Sequence, residues 1–110
     1  MRGGGKAVEN KFKKTLLEAV DYGLLVLGET VRQAIYSHIE RNYKVKREEV
    51  PERLEAFHKA LEGVLGAGAK VVERLIAKNL YQRLNLNFIE HEDWTLADYI
   101  RDAEKLIGVD

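Results

Sequence analysis

A glycine-rich stretch near the middle of the chain joins two amphipathic segments and limits how they can be arranged. Residues 61–70 read LEGVLGAGAK and place glycines at 63, 66 and 68. Glycine adopts backbone conformations that other residues avoid, and it lets a second helix or a ligand approach closely. We predict a tight corner at which two helices pack against each other. An anion site with Lys70 as its counter-charge, or a groove for a partner, are the alternatives, although no Walker loop or strand-linked GxGxxG motif is present.

Apolar residues recur at three- and four-residue spacings in five segments, as in helices with one buried face. We predict helices over residues 10–27, 29–42, 51–65, 69–84 and 96–107, with Pro51 as the first residue of the third. Thr95 and Asp98 form a capping-box pattern before the last helix, and Gly108 ends it. Residues 84–88 are a candidate extended segment, but one strand has no partner. The expected fold is all-α, a compact bundle of about five helices.

The domain boundaries and the buried faces follow from the same pattern. Three glycines near the N-terminus predict a flexible leader over residues 1–8, which leaves residues 9–110 as a single helical domain. Apolar stripes of the helices are expected to face the core. Leu17, Leu25 and Val26 widen the stripe of the first helix, which suggests that this helix lies near the centre of the bundle. Val64 of the third helix is expected to face the core, and Val71 and Leu75 belong to the apolar pattern of the fourth.

The composition excludes several classes of protein. Lys and Arg together equal Asp and Glu at 18 each, and such a neutral chain is not typical of a nucleic-acid coat or a membrane-surface protein. Cysteine is absent, which fits a cytoplasmic protein, and no apolar run is long enough to span a membrane. The abundance of Glu, Lys and Arg is similar to that of thermophile proteins.

No catalytic or metal-binding motif is present. His38, His58 and His91 are separated by 20 and 33 residues, so no two of them have the spacing of zinc ligands. The acidic segment 89–93 around His91 is an alternative metal or acid–base site, but charged runs on loops are usually solvated. Trp94, which follows it, is expected to anchor the last helix on the bundle. We predict no enzymatic activity, no metal and no cofactor.

The connector after the second helix is a basic segment. Its cations and interleaved tyrosine are able to grip phosphates and stack on a base, so nucleic-acid binding is one hypothesis. Three glutamates follow at positions 48, 49 and 52 and partly cancel this charge. The residues of this hypothesis are Arg41, Tyr43, Lys44, Lys46 and Arg47.

A protein-binding surface is the hypothesis that we favour for this region. Tyr36 stands off the apolar stripe of the second helix, and surface tyrosines are enriched at interfaces. Together with Tyr43 and the basic connector, Tyr36 would bind a partner protein or a second copy of the chain. The sequence thus predicts a non-enzymatic interaction module.

Several segments resemble a family of small archaeal helical proteins. These segments are LLVLGETVRQAIYSHI at 24–39, EVP at 49–51, FHKALE at 57–62 and GAGAKVVE at 66–73. The same pattern is similar to an output domain proposed in archaeal signal-transduction proteins. The resemblance covers about residues 16–100 and implies an all-α fold with a regulatory or signal-output role. It implies no catalytic residues.

Overall fold

The protein is a bundle of helices, seen here in a computed structural model that describes residues 2–108, with side chains from Glu9 onward. Within that range it contains no β-strand, so the predicted all-α bundle of about five helices is confirmed. None of the described helices is long and apolar enough to cross a bilayer. The helices are α1 (Arg2–Leu25), α2 (Glu29–Tyr43), a 3-10 helix (Arg47–Glu52), α3 (Leu54–Leu65), α4 (Gly68–Arg83) and α5 (Leu96–Ile107).

The predicted boundaries hold best where a local capping signal exists. Thr95 accepts a hydrogen bond from the Asp98 N–H, and the Asp98 carboxylate accepts one from the Thr95 N–H, which is the predicted capping box. Gly108 closes α5 in a left-handed conformation. At the other end of the chain, α1 begins at Arg2 rather than near residue 10. The leader over residues 1–8 stays a prediction, since Met1 and the side chains through residue 8 lie outside the described part.

The start of the third helix was predicted wrongly. Pro51 lies inside the 3-10 helix, and α3 begins three residues later, at Leu54. The chain makes a tighter turn because the N–H of Arg53 donates to the carbonyl of Val50 (3.0 Å), the i→i+3 bond of a 3-10 helix. Val50 is fully buried and fixes this short helix against the core.

Helix α1 lies between α2 and α4, and its contact with α4 is the most extensive in the bundle. The two helices run antiparallel, because Arg83 at the end of α4 binds Glu18 (3.2 Å) while Ile76 meets Gly23 further along α1. A Cβ atom at Gly23 would fall much closer to Ile76 Cγ1 than two non-bonded carbons can approach. The absence of a side chain at Gly23 therefore sets the distance between α1 and α4.

The glycine-rich corner joins α3 to α4 as predicted, but the expected close approach of another helix is wrong. A Cβ atom at Gly63 or Gly66 would meet nothing within 4 Å. A Cβ atom at Gly68 would make only an ordinary contact with Leu65 (3.6 Å). Gly66 is required for its conformation, φ 56° and ψ −128°, which L-residues rarely adopt.

The aromatic residues of the loop between α4 and α5 fix its path. Tyr99 of α5 donates its hydroxyl proton to the carbonyl of His91 (3.0 Å) and accepts the His91 N–H (2.8 Å). Trp94 stacks on His91 with ring centroids 3.8 Å apart and meets Tyr99 edge-on. Trp94 therefore anchors α5, as predicted. Residues 84–88, the candidate strand, form no β-structure.

Some residues that the periodicity placed in the core are exposed. Val71 is 58% exposed and Val26 56%, and Leu25 and Val64 are also exposed. The buried residues of α1, α3 and α4 lie on the side of each helix that faces its neighbours, and the outer edges of the apolar stripes remain in solvent.

Candidate functional site

A groove lies between the last turns of α2 and the 3-10 helix, in the region where the sequence predicts partner binding. Its volume is about 620 Å³. We call it the connector groove, and its lining residues are Ser37, Glu40, Arg41, Lys44, Lys46 and Glu49.

The backbone at the end of α2 turns the basic side chains outward. Lys44 adopts a left-handed conformation (φ 58°, ψ 39°) and its N–H donates to the carbonyl of Glu40 (3.1 Å). Lysine at such a position costs about 1 kcal/mol relative to glycine. Val45 is buried, so its neighbours Lys44 and Lys46 point to the surface. The N–H of Lys46 donates to the Glu49 carboxylate (2.9 Å), which fixes the start of the 3-10 helix.

Among the side chains that the structure describes, the cations of the connector groove have no carboxylate partners. Arg41 and Lys44 donate only to backbone carbonyls, those of Ser37 and Arg41, both at 3.4 Å. Neither they nor Lys46 form an ion pair with any carboxylate among residues 9–108. Three cations and two glutamates line the groove, so it carries a small positive excess. Such a surface is able to bind a carboxylate or phosphate without first breaking an internal ion pair.

The fourth cation of the predicted set, Arg47, is held by Asp21 of α1. Arg47 binds Asp21 through both its Nε (3.1 Å) and a terminal nitrogen, and Arg32 of α2 approaches the same carboxylate (3.3 Å). Burial opposes ionisation of Asp21, but the hydrogen bonds and charges of these partners outweigh it and lower the Asp21 pKa. The same interaction raises the pKa of Arg47. Arg47 thus joins the connector to α1.

The two tyrosines of the predicted surface also lie outside the connector groove. Tyr36 is half-buried and donates its hydroxyl proton to Asp21 (2.6 Å). Burial and the adjacent Asp21 raise the pKa of Tyr36. Tyr43 packs against the core and meets the His38 ring edge-on (6.2 Å between centroids), beside a neighbouring cleft. The structure therefore brings together Arg41, Lys44 and Lys46 and places Arg47, Tyr36 and Tyr43 elsewhere.

A buried carboxylate, which sequence analysis did not single out, links three helices. Glu73 of α4 is 4% exposed and is the one buried charged residue among the described side chains. One oxygen lies 2.6 Å from His58 Nδ1 on α3, and the other accepts the N–H of Leu96 at the start of α5 (3.2 Å). The signal was present in the sequence, because position 73 falls between Val72 and Ile76 on the buried face of α4.

The His58–Glu73 pair borders a cavity of about 330 Å³ between α3 and α5. Glu62 of α3 lies 3.4 Å from the other ring nitrogen of His58, so the imidazole sits between two carboxylates. No group of three acidic, histidine or cysteine side chains in the described part of the chain is arranged to hold a metal ion. The arrangement stabilises a protonated imidazole, and the Leu96 N–H already occupies the second oxygen of Glu73. We therefore interpret this pair as a structural link.

This pair predicts a pH dependence of stability. Burial lowers the pKa of His58, but the hydrogen bond and charge of Glu73, with those of Glu62, outweigh it and raise the pKa overall. The folded state thus holds the proton of His58 more tightly than the unfolded state does. The stabilisation from the protonated imidazole is therefore complete below about pH 6.5, the ordinary pKa of histidine, and is lost as the pH rises through the raised pKa of His58. Chemical denaturation from pH 6 to 9 is expected to show the stability gap between wild type and His58→Gln shrinking with pH. A difference in stability that stays constant over this pH range would contradict the raised pKa of His58.

Comparisons with known proteins give no guide to the role of these sites. No protein-family model, curated protein or solved structure matches the chain.

Proposed function

We propose that the protein is a non-enzymatic interaction module that binds an acidic segment of a partner protein in the connector groove. The observation that supports this is the group of three cations, Arg41, Lys44 and Lys46, that line one concave surface and have no carboxylate partner in the described part of the chain. An incoming carboxylate gains their attraction and displaces no internal ion pair. A regulatory or signal-output role is part of the proposal.

The composition of the groove favours a peptide over a nucleic acid. Its lining residues include Glu40 and Glu49, whose carboxylates would repel the evenly spaced charges of a continuous phosphate backbone. A peptide is able to place its acidic side chains beside the cations and its N–H groups beside the glutamates. Proteins that bind single-stranded nucleic acid usually stack bases on aromatic rings, and the ring of Tyr43 lies outside this groove. Arg47, the fourth cation of the nucleic-acid hypothesis, is already bound to Asp21.

Selection from a random peptide library displayed on phage tests the proposal. Wild-type protein is expected to enrich peptides that contain Asp and Glu. The triple variant Arg41→Gln, Lys44→Gln, Lys46→Gln is expected to bind the selected peptides at least about fivefold more weakly, because three exposed charge contacts together contribute about 1–3 kcal/mol. Fluorescence anisotropy of the labelled peptides measures this loss.

The matched control replaces three exposed lysines far from the groove in sequence, Lys11, Lys14 and Lys105, with glutamine. It changes the net charge equally, and we expect it to leave peptide affinity within about twofold. An equal loss of peptide affinity in both triple variants would show that only the net charge matters and would contradict binding in the connector groove. Tighter binding to a single-stranded oligonucleotide than to the peptides, with a steep salt dependence, would favour the nucleic-acid alternative.

A further inference from the structure

Several apolar residues that the helical periodicity assigns to the core lie together on one exposed face of the folded protein. Val71 and Leu75 belong to the apolar stripe of α4, yet Val71 is exposed and Leu75 only half-buried. With Lys78 they occupy positions i, i+4 and i+7, which fall on one side of a helix. A cleft of about 420 Å³ runs beside them, and Phe88 of the following loop lines its other wall.

Helix α1 packs against α4 next to this stripe. Its Gly23 lies against Ile76, the residue after Leu75, and Tyr22 and Val26 lie one residue before Gly23 and three after it. Asp21 faces α2 on the other side of α1, so Tyr22 and Val26 flank the α4 side. Both are exposed, Tyr22 at 47%. Ile89, between Phe88 and Glu90 of the cleft lining, is exposed as well. We call this surface the outer α4 face, formed by Tyr22, Val26, Val71, Leu75, Lys78, Phe88 and Ile89.

The charges around the outer α4 face are mainly positive. The one acidic residue of α4, Glu73, is buried on the opposite side of the helix. Arg74 and Arg83 each bind a carboxylate, Glu90 at 3.0 Å and Glu18 at 3.2 Å. Lys70 and Lys78 are exposed and form no ion pair with the carboxylates of residues 9–108. An apolar stripe with unpaired cations along it is complementary to an apolar stripe flanked by acidic residues.

We propose that the outer α4 face binds an amphipathic helix of a partner protein, with apolar residues at i, i+4 and i+7 and acidic residues beside them. Apolar side chains on such a helix would cover Val71 and Leu75 and insert towards Phe88. Its carboxylates would meet Lys70 and Lys78. This inference is independent of the connector groove, which lies on the far side of α1.

Two other occupants fit the charges less well. A second copy of the chain would bring the lysines of two equivalent faces towards each other, and like charges oppose such contact. An anionic membrane would meet the carboxylates of Glu18 and Glu90 at the rims of the face. An acidic amphipathic helix avoids the first conflict, because its charges are opposite in sign to Lys70 and Lys78. It also limits the second, because a single helix is narrow enough to place its carboxylates beside these lysines and away from Glu18 and Glu90.

The test uses two synthetic helical peptides with the same leucines at i, i+4, i+7 and i+11, flanked by glutamate in one and by lysine in the other. We expect the glutamate peptide to bind wild-type protein at least about tenfold more tightly in fluorescence anisotropy. Its NMR chemical-shift changes are expected to cluster at Val26, Val71, Leu75 and Ile89. Equal affinities, or shifts that cluster elsewhere, would overturn the proposal.

Variants separate this face from other surfaces. Val71→Glu is expected to weaken binding of the glutamate peptide at least about tenfold, whereas Leu106→Glu, at an equally exposed apolar residue of α5, leaves it unchanged. The triple variant of the connector groove is also expected to bind this peptide normally, so the two proposals can fail independently of each other.

Two further measurements test the other occupants. Sedimentation of wild type as a dimer that Val71→Glu dissociates would overturn the proposal in favour of a second copy. Binding to phosphatidylserine vesicles in preference to the peptide would overturn it in favour of a membrane.

Discussion

Replacement of Gly23 with valine is expected to lower the free energy of unfolding by about 3 kcal/mol. The new side chain would occupy the space of Ile76 Cγ1, which belongs to a fully buried residue. Ile76 is β-branched and has one strongly preferred rotamer in a helix, so it is unable to turn away. The backbones of α1 and α4 must then separate along the largest contact in the bundle. Thermal unfolding followed by circular dichroism is expected to show a fall in Tm of roughly 10–15 °C.

Gly63→Val is the matched control for this prediction. Gly63 also lies inside a helix, but a Cβ atom there would meet nothing within 4 Å. Valine has a higher helix propensity than glycine, so this variant is expected to match wild-type stability or exceed it by a few tenths of a kcal/mol. A similar loss of Tm at both positions would show that the close approach at Gly23 does not control packing.

Replacement of Glu73 with alanine is expected to destabilise the protein by about 2–3 kcal/mol. The change leaves the N–H of Leu96 without its partner in a buried position, and an unsatisfied donor there costs about 1–3 kcal/mol. It also removes the carboxylate that binds His58, although that ring is partly exposed and regains water. Urea unfolding measures the loss. Hydrogen exchange at the Leu96 amide is expected to accelerate in the variant, because the start of α5 is no longer tied to α4.

Glu62→Ala provides the comparison, since Glu62 contacts the same imidazole (3.4 Å) from an exposed position. Exposed ion pairs contribute little, so this variant is expected to stay within about 0.5 kcal/mol of wild type. Glu73→Gln keeps an acceptor for the Leu96 N–H but loses the charge, so its stability is expected to lie between those of Glu62→Ala and Glu73→Ala. Equal stability of the Glu62→Ala and Glu73→Ala variants would contradict the role of Glu73 as the link between α3, α4 and α5.

The candidate site was predictable from the sequence only in part. The basic connector identified Arg41, Lys44 and Lys46, because a run of cations after a helix end lies at the surface in almost any fold. Arg47 belongs to the same run, but Asp21 reaches it from α1. Tyr36 stands off the apolar stripe of α2 and yet donates to that same carboxylate. Which surface groups remain available thus depends on partners from distant parts of the chain.

The five α-helices, the ends of α2 and α5 and the all-α class were predictable from the sequence, since these depend on interactions within a few residues, whereas the 3-10 helix was not predicted. Helical periodicity, the capping box at Thr95 and the C-terminal Gly108 are all of this local kind. The packing of the helices, in contrast, was needed to show that Gly23, and not the glycine-rich corner, allows close packing, and that Val71 is exposed. The physical reason is that a periodic pattern defines an apolar face but not its neighbour. The amount of that face that is covered depends on where the other helices pack.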